Sequence, residues 1–229
     1  MKLVLHNYWR SSASHRVRIA LHLKQLPYDY VAVNIAKQGQ FADAYRAKNP
    51  MSQVPTLEIT EDDGTRRALV QSLPILEYLE ERWPERPILP RDPYLRARAR
   101  GLAEIVNSGI QPLQNLSTTK KLKELGADEA AWVKGFIADG LVAFARSAAE
   151  TAGAFCVGEA PTVADCFLVP QLASARRFGV LDGKTWNEIT PNVTEHRAHL
   201  DALIQIEARC MAQPAFADAA PDRQSDAIK

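Results

Sequence analysis

Apolar positions along the first third of the chain switch between two periods. A short apolar run at residues 3–5 predicts a buried strand. Residues 15–24 then place Val17, Ile19, Ala20, Leu21 and Leu23 at helical spacing. Residues 28–33 alternate as a strand does, and residues 56–59 and 68–70 are two more short strands. Between the last two lies Asp62-Asp63-Gly64, a hairpin signal, because Asp-Gly tolerates the positive φ of such turns. Residues 73–82 read as a helix with Leu73, Leu76, Leu79 and Trp83 on one stripe, and Pro74 fits its first turn. The order β-α-β followed by β-β-α predicts a mixed sheet flanked by helices.

Pro84, Pro87, Pro90 and Pro93 interrupt the pattern, each fixing φ and removing a donor. Beyond them strand signals fade. Helical periodicity covers residues 95–116, 128–150, 163–178 and 193–213. Thr162-Val163-Ala164-Asp165 is a capping-box start for the third of these. The tail from Pro214, rich in Ala, Asp and Pro, is expected to pack loosely or fray. The predicted organisation is an α/β domain over residues 1–83, a linker over 84–93 and an all-helical domain over 94–229.

Composition narrows the class. The chain has 229 residues, 46% hydrophobic and 24% charged, ordinary for a soluble globular protein that buries its core without staples. A formal net charge of +1 gives no sign of a nucleic-acid or membrane-surface partner. Cys156, Cys166 and Cys210 are odd in number and form no ligand cluster, so no metal site is expected. They read as buried, reduced thiols of a cytosolic protein. The N-terminal apolar run is too short for a signal-peptide core, and no stretch is apolar enough to span a bilayer.

Four places could carry chemistry. Ser11-Ser12-Ala13-Ser14-His15-Arg16 opens the first helix, where unpaired N–H groups and the helix dipole suit an anion. Plain capping is the commoner use of such serines. Val54-Pro55 precedes a strand; a cis bond there would turn the Val54 amide and carbonyl away from the sheet, towards another extended peptide. A trans proline in a turn is the ordinary alternative. Gln71-Ser72 opens another helix and could hold a carboxylate or merely cap. Finally, Arg10, Arg16, Arg18, Arg176 and Arg177 each offer a bidentate fork for a carboxylate, although most arginines are surface charges. His15 has no partner visible in the sequence.

Together these segments resemble the zeta class of glutathione transferases, which includes maleylacetoacetate isomerases. That class begins its first helix with Ser-Ser-Cys-Ser-Trp-Arg-Val-Arg-Ile-Ala-Leu; residues 11–21 here read Ser-Ser-Ala-Ser-His-Arg-Val-Arg-Ile-Ala-Leu. Asn49-Pro50-Met51, Gln53-Val54-Pro55-Thr56-Leu57, Gln71-Ser72 and the run Gln111-Pro112-Leu113-Gln114-Asn115-Leu116 also match. So do Cys156-Val157-Gly158, Leu168-Val169-Pro170-Gln171 and Arg177-Phe178. The resemblance implies a thioredoxin-like N-terminal domain, an all-α C-terminal domain, glutathione as cosubstrate and a homodimer. It implies that Ser11 faces the glutathione sulfur, with Ser12 and Arg16 beside it. Gln40, Val54, Gln71 and Ser72 match positions holding the glutathione backbone, and Gln111, Asn115, Leu116 and Ser117 match positions lining the site. Arg10 and Arg177 are then candidates for the substrate's carboxylates.

Two departures stand out: Ala13 replaces the class cysteine and His15 the tryptophan. The expected activity is cis–trans isomerisation of a maleyl dicarboxylate, maleylacetoacetate to fumarylacetoacetate, by reversible thiolate addition. Ser14-His15-Arg16 also resembles maleylpyruvate isomerases, but those look arginine-rich where this chain has Leu116-Ser117. A general transferase is a further alternative. The rival from another class is a non-catalytic binding module, against which the joint retention of Ser11, Val54-Pro55 and Gln71-Ser72 argues. Residues 182–203 are longer than in relatives.

Overall fold

The computed structural model describes residues 1–228. The chain divides into two compact units, Met1–Ile88 with Gln213–Lys229, and Leu89–Ala212. The first is built on a four-stranded sheet in the order β2-β1-β3-β4, from β1 (Lys2–Asn7), β2 (Asp29–Ala32), β3 (Thr56–Thr60) and β4 (Arg66–Val70). β1 runs parallel to β2 and antiparallel to β3, and β3 pairs antiparallel with β4. Period-2 burial along β3 puts Leu57 and Ile59 in the core, in register with Leu5 and Leu3. Gly64, at φ 84°, turns the hairpin as its Asp-Gly signal predicts.

Two helices and a short turn accompany the sheet in the first 88 residues: α1 (Ser12–Leu23), α2 (Asp43–Arg46) and α3 (Ser72–Arg82). α1 buries Val17, Ile19 and Leu21 completely, each contributing roughly 1.5–3 kcal/mol. Its last turn is held by a buried ion pair. Lys24 Nζ lies 2.8 Å from Glu80 Oε2 and also donates to the carbonyls of Trp83 at 2.8 Å and Arg86 at 3.0 Å. Glu80 in turn accepts the Ile88 N–H at 2.9 Å. The proline-rich segment up to Ile88 is thereby fastened to the sheet domain.

The second unit is helical: α4 (Pro93–Glu104), α5 (Leu116–Glu124), α6 (Glu129–Ala148), α7 (Val163–Arg177), α8 (Pro191–Glu195) and α9 (Arg197–Met211). Three departures from the sequence pattern have local causes. The expected helix over 95–116 stops at Glu104, widens into a π turn over Ile105–Ile110 and tightens into a 3-10 turn over Gln111–Gln114, around Pro112. A Cβ on Gly140 of α6 would fall 2.4 Å from Ile110 Cγ1, so only glycine lets that turn seat. The last helix is split near His196, and residues 181–186 add a two-stranded hairpin, β5 (Leu181–Asp182) and β6 (Thr185–Trp186), around Gly183 at φ 56°. Gln114 and Gln171 exchange reciprocal amide hydrogen bonds at 3.1 and 3.2 Å, tying the 3-10 turn to α7.

The tail departs most from expectation. The described residues from Gln213 to Ile228 belong with the sheet unit, not the helical one. α10 (Pro214–Ala219) packs on α1, with Phe216 and Ala219 fully buried. The cause is Arg18, whose Nε–H donates to the Ala219 carbonyl at 3.0 Å. No helix among the described residues is long and apolar enough to cross a membrane.

Candidate active site

Ser11 stands where β1 has ended and α1 has not begun. Its backbone is extended, its N–H donates to the Tyr8 carbonyl, and its Oγ accepts the Ser14 N–H at 3.2 Å. Capping and anion binding, alternatives in the sequence, are therefore compatible here. The cap uses an acceptor lone pair of Ser11 and leaves the hydroxyl proton to donate. Among the described residues the N–H groups of Ser12 and Ala13 have no backbone partner, and no acidic residue sits in the first turn. The dipole field at this terminus is thus left for an external anion. Ser12 is half-buried, whereas Ser14 is completely buried and turned away from solvent.

Arg16 and Ser72 meet. Arg16 is 1% exposed and donates through Nη1 to Ser72 Oγ at 3.1 Å, so α1 braces the start of α3. Gln71, just ahead, is exposed and adopts φ 71°, an uncommon conformation for a residue with a side chain. The Val54-Pro55 bond is cis. Neither the amide nor the carbonyl of Val54 enters a backbone hydrogen bond among the described residues. Gln40, in the 3-10 turn Gly39–Phe41, has a buried Oε1 without a hydrogen-bond partner among the described residues. A hydroxyl donor, free helix-start amides, an unpaired strand-like peptide and an orphaned amide oxygen are the groups that a tripeptide thiol needs.

The five arginines sort by burial. Arg16 is spent on Ser72. Arg18 is fully buried, and burial pulls its pKa down to about 10, still high enough to keep its charge at neutral pH. It donates to Asn7 Oδ1 at 3.0 Å and to the Trp9 carbonyl at 3.0 Å. Arg176 grips Glu207 with both Nη groups, at 2.6 and 2.5 Å. Arg10 and Arg177 are exposed, each lying over the ring of a neighbouring residue: Arg10 over Trp9 at 5.6 Å and Arg177 over Phe178 at 4.7 Å.

In the helical unit, Gln111 opens the 3-10 turn and Asn115 caps α5, accepting the Leu116 N–H at 2.7 Å. Leu116 and Ser117 are exposed in the first turn of α5. The cysteines lie outside this chemistry. All three are buried free thiols, and burial pushes Cys156 and Cys210 well above the ordinary thiol range, away from the nucleophilic form. His15 is buried too. Burial, aided by the nearby Arg18 and Arg16 charges, holds it well below its usual pKa and therefore neutral.

Sequence reasoning missed Trp9 and Asp226. The Trp9 N–H donates to Asp226 Oδ2 at 3.2 Å across 217 residues of chain, a separation no local signal spans.

The chain is similar to known proteins along nearly its whole length. Residues 10–82 match the family model described as glutathione S-transferase, N-terminal domain. A probable maleylacetoacetate isomerase of Drosophila melanogaster is 40% identical over 97% of this chain and 89% of its own length. The crystal structure of maleylacetoacetate isomerase from Anaeromyxobacter dehalogenans, with glutathione bound in its active site, is 47% identical. It superposes with a TM-score of 0.85 over 99% of this chain and 98% of that one. A maleylpyruvate isomerase described as a bacterial zeta-class glutathione S-transferase is 38% identical, with a TM-score of 0.84 over 98% of this chain and 100% of that one. With a thioredoxin-like sheet unit, a helical unit and these relatives matched along nearly its whole length, the chain belongs to the zeta class of glutathione transferases, the family of maleylacetoacetate and maleylpyruvate isomerases.

Proposed function

We propose that this chain is a glutathione-dependent isomerase that converts maleylacetoacetate to fumarylacetoacetate. The observation that carries the reading is the open cap of α1. Ser11 accepts the Ser14 N–H and so has its hydroxyl proton to donate, beside Ser12 and Ala13 amides that have no backbone partner among the described residues. The same sheet unit holds a Val54 peptide without a backbone partner. Bound glutathione supplies a thiolate that adds to the cis double bond, leaves a single bond free to rotate, and departs again to give the fumaryl product. The protein's part is to make that thiolate and hold the partners. Ser11 donates to the sulfur, and one hydrogen bond to a charged acceptor contributes about 1.5–3 kcal/mol. That lowers a thiol pKa by about one to two units. Val54 pairs with the tripeptide backbone, while Gln40, Gln71 and Ser72 hold its ends. Gln111, Asn115, Leu116 and Ser117 remain the candidates that the family pattern adds. Arg10 and Arg177 hold the substrate's carboxylates by bidentate pairing.

The residues Leu116-Ser117 favour maleylacetoacetate over maleylpyruvate, whose isomerases look arginine-rich there. Ser14-His15-Arg16 favours the reverse. Parallel assays with the two substrates in the presence of glutathione decide it. A higher kcat/KM for maleylacetoacetate is expected; turnover of neither would overturn the isomerase reading. We also assign the chain to a homodimer in the cytoplasm. Phe41 and Met51, 54% and 63% exposed, are apolar surface of the kind a subunit contact covers, and three free thiols suit a reducing compartment. Light scattering at micromolar concentration tests the dimer.

A further inference from the structure

We infer that Asp226 is a positioning residue for the substrate-binding loop. By fixing the backbone of Trp9, it aims the guanidinium of Arg10. The inference rests on the assignment of Arg10 to a substrate carboxylate.

Residues 8–11 link β1 to α1 and belong to neither, so no ladder holds the Trp9 peptide groups. Side chains hold them instead. The Trp9 N–H donates to Asp226 Oδ2 at 3.2 Å, and the Trp9 carbonyl accepts Arg18 Nη2 at 3.0 Å. Arg18 is itself anchored on the tail through the Ala219 carbonyl at 3.0 Å. Both backbone groups of Trp9 therefore depend on the last residues of the chain. Asp226 is in turn fixed to the sheet, because its Oδ1 accepts the Tyr30 hydroxyl of β2. Gln224 closes the tail upon itself, donating to the carbonyls of Asp218 at 3.0 Å and Ala220 at 2.8 Å. The clamp is thus rigid at the sheet and reaches into the loop. What it carries is the Trp9 ring, with the Arg10 guanidinium carbon 5.6 Å from the ring centroid. A Trp9 peptide free to rotate would swing both the ring and the guanidinium stacked on it.

A double-mutant cycle tests this. Wild type, Arg10→Ala, Asp226→Ala and the double variant are assayed for isomerisation of maleylacetoacetate and maleylpyruvate, with glutathione affinity measured by calorimetry. Either single change is expected to raise KM for the maleyl substrate about tenfold, the scale of one coupled contact. In the Arg10→Ala background, Asp226→Ala should add less than about twofold. Glutathione Kd should stay within about twofold in every variant, because Val54, Gln71 and Ser72 are untouched. Asp226→Asn, which keeps an oxygen for the Trp9 N–H, should restore most of the loss. An Asp226→Ala variant with unchanged KM, or one whose effect multiplies fully with that of Arg10→Ala, sinks the inference alone. If Arg10→Ala itself leaves KM unchanged, the carboxylate assignment fails and the inference falls with it. Melting curves separate these outcomes from unfolding, and Asp226→Asn gives the same readout should Asp226→Ala not fold.

Discussion

At the start of α7, Thr162 and Asp165 satisfy one another. At the start of α1, Ser11 and Ser14 do not. Asp165 receives the Thr162 N–H at 2.8 Å, the Thr162 hydroxyl at 3.0 Å and the Cys156 N–H at 2.9 Å, all in a buried place. The Thr162 oxygen in turn accepts the Ala164 N–H at 3.2 Å. The side chains of Thr162 and Asp165 are spent on the fold there. In α1 the third helical position is Ser14 instead of an acid, and its first turn contains no acidic residue. The same position within a helix thus carries a buried acid in one unit and a buried serine in the other. The difference lies in one residue type: an acid three places after the cap closes the terminus, and its absence leaves it open.

The largest effect should come from opening the closed cap. Asp165→Ala strands buried donors at Cys156 and Thr162, each costing about 1–3 kcal/mol, so a stability loss of roughly 3 kcal/mol or more is expected. Urea unfolding measures it. Glutathione affinity of the folded protein should not change; if it fell in step with stability, the division of labour between the caps would be wrong.

How far the sequence could be read follows the same division. The capping box at Thr162, the hairpin at Gly64 and the strands around Leu5 and Leu57 were legible, because each signal is complete within a few residues. Arg18 was not. It sits among apolar residues of α1 and offered the same fork as Arg10, yet its acceptors are the Asn7 side chain and carbonyls at Trp9 and Ala219, the last 201 residues away. The tail looked loose for that reason: Phe216 is a lone aromatic in a polar stretch, and its packing against α1 has no local pattern. At the candidate site, the family pattern pointed to Ser11 and Val54 and position alone favoured capping by the serines, but only geometry showed that the cap is Ser11 accepting the Ser14 N–H, or that Arg16 donates to Ser72.

Ser11→Ala against Thr162→Ala sharpens the comparison next. Thr162→Ala should cost about 1–2 kcal/mol of stability and leave turnover alone. Ser11→Ala should cost about 1 kcal/mol or less of stability and raise the pKa of bound glutathione by about one to two units, cutting turnover at neutral pH about tenfold. Thiolate absorbance against pH reads the shift. A Ser11→Ala complex that titrates like the wild type would remove Ser11 from thiol activation.

α1 also carries a pH liability. Burial holds His15 well below its ordinary pKa of 6.5, whereas the unfolded chain protonates near that value. Below about pH 6.5 the unfolded state therefore binds a proton that the folded state refuses, and stability falls as pH drops. The slope is at most about 1.4 kcal/mol per pH unit, down to the folded pKa. His15→Trp, which restores the family residue, should flatten this slope between pH 6.5 and 5, as read by denaturant midpoints. An unchanged slope would place the acid sensitivity elsewhere.

The smallest effect should come from Ser14. Its Oγ is buried and finds no protein partner, while its backbone N–H is what Ser11 caps. An unpaired buried hydroxyl adds desolvation cost and no compensating bond, so its removal should not hurt. Ser14→Ala also places a better helix former in the first turns, worth a few tenths of a kcal/mol. The expected result is a stability change between zero and about 1 kcal/mol in the favourable direction, with kcat, KM and the pH profile of bound thiol unchanged. Set beside Ser11→Ala, this separates two hydroxyls three residues apart: one acts through its side chain, the other only through its amide. If Ser14→Ala lost more than about 1 kcal/mol, its hydroxyl would be bonded, for instance to a buried water, and the open terminus would be narrower than the geometry of Ser11 implies.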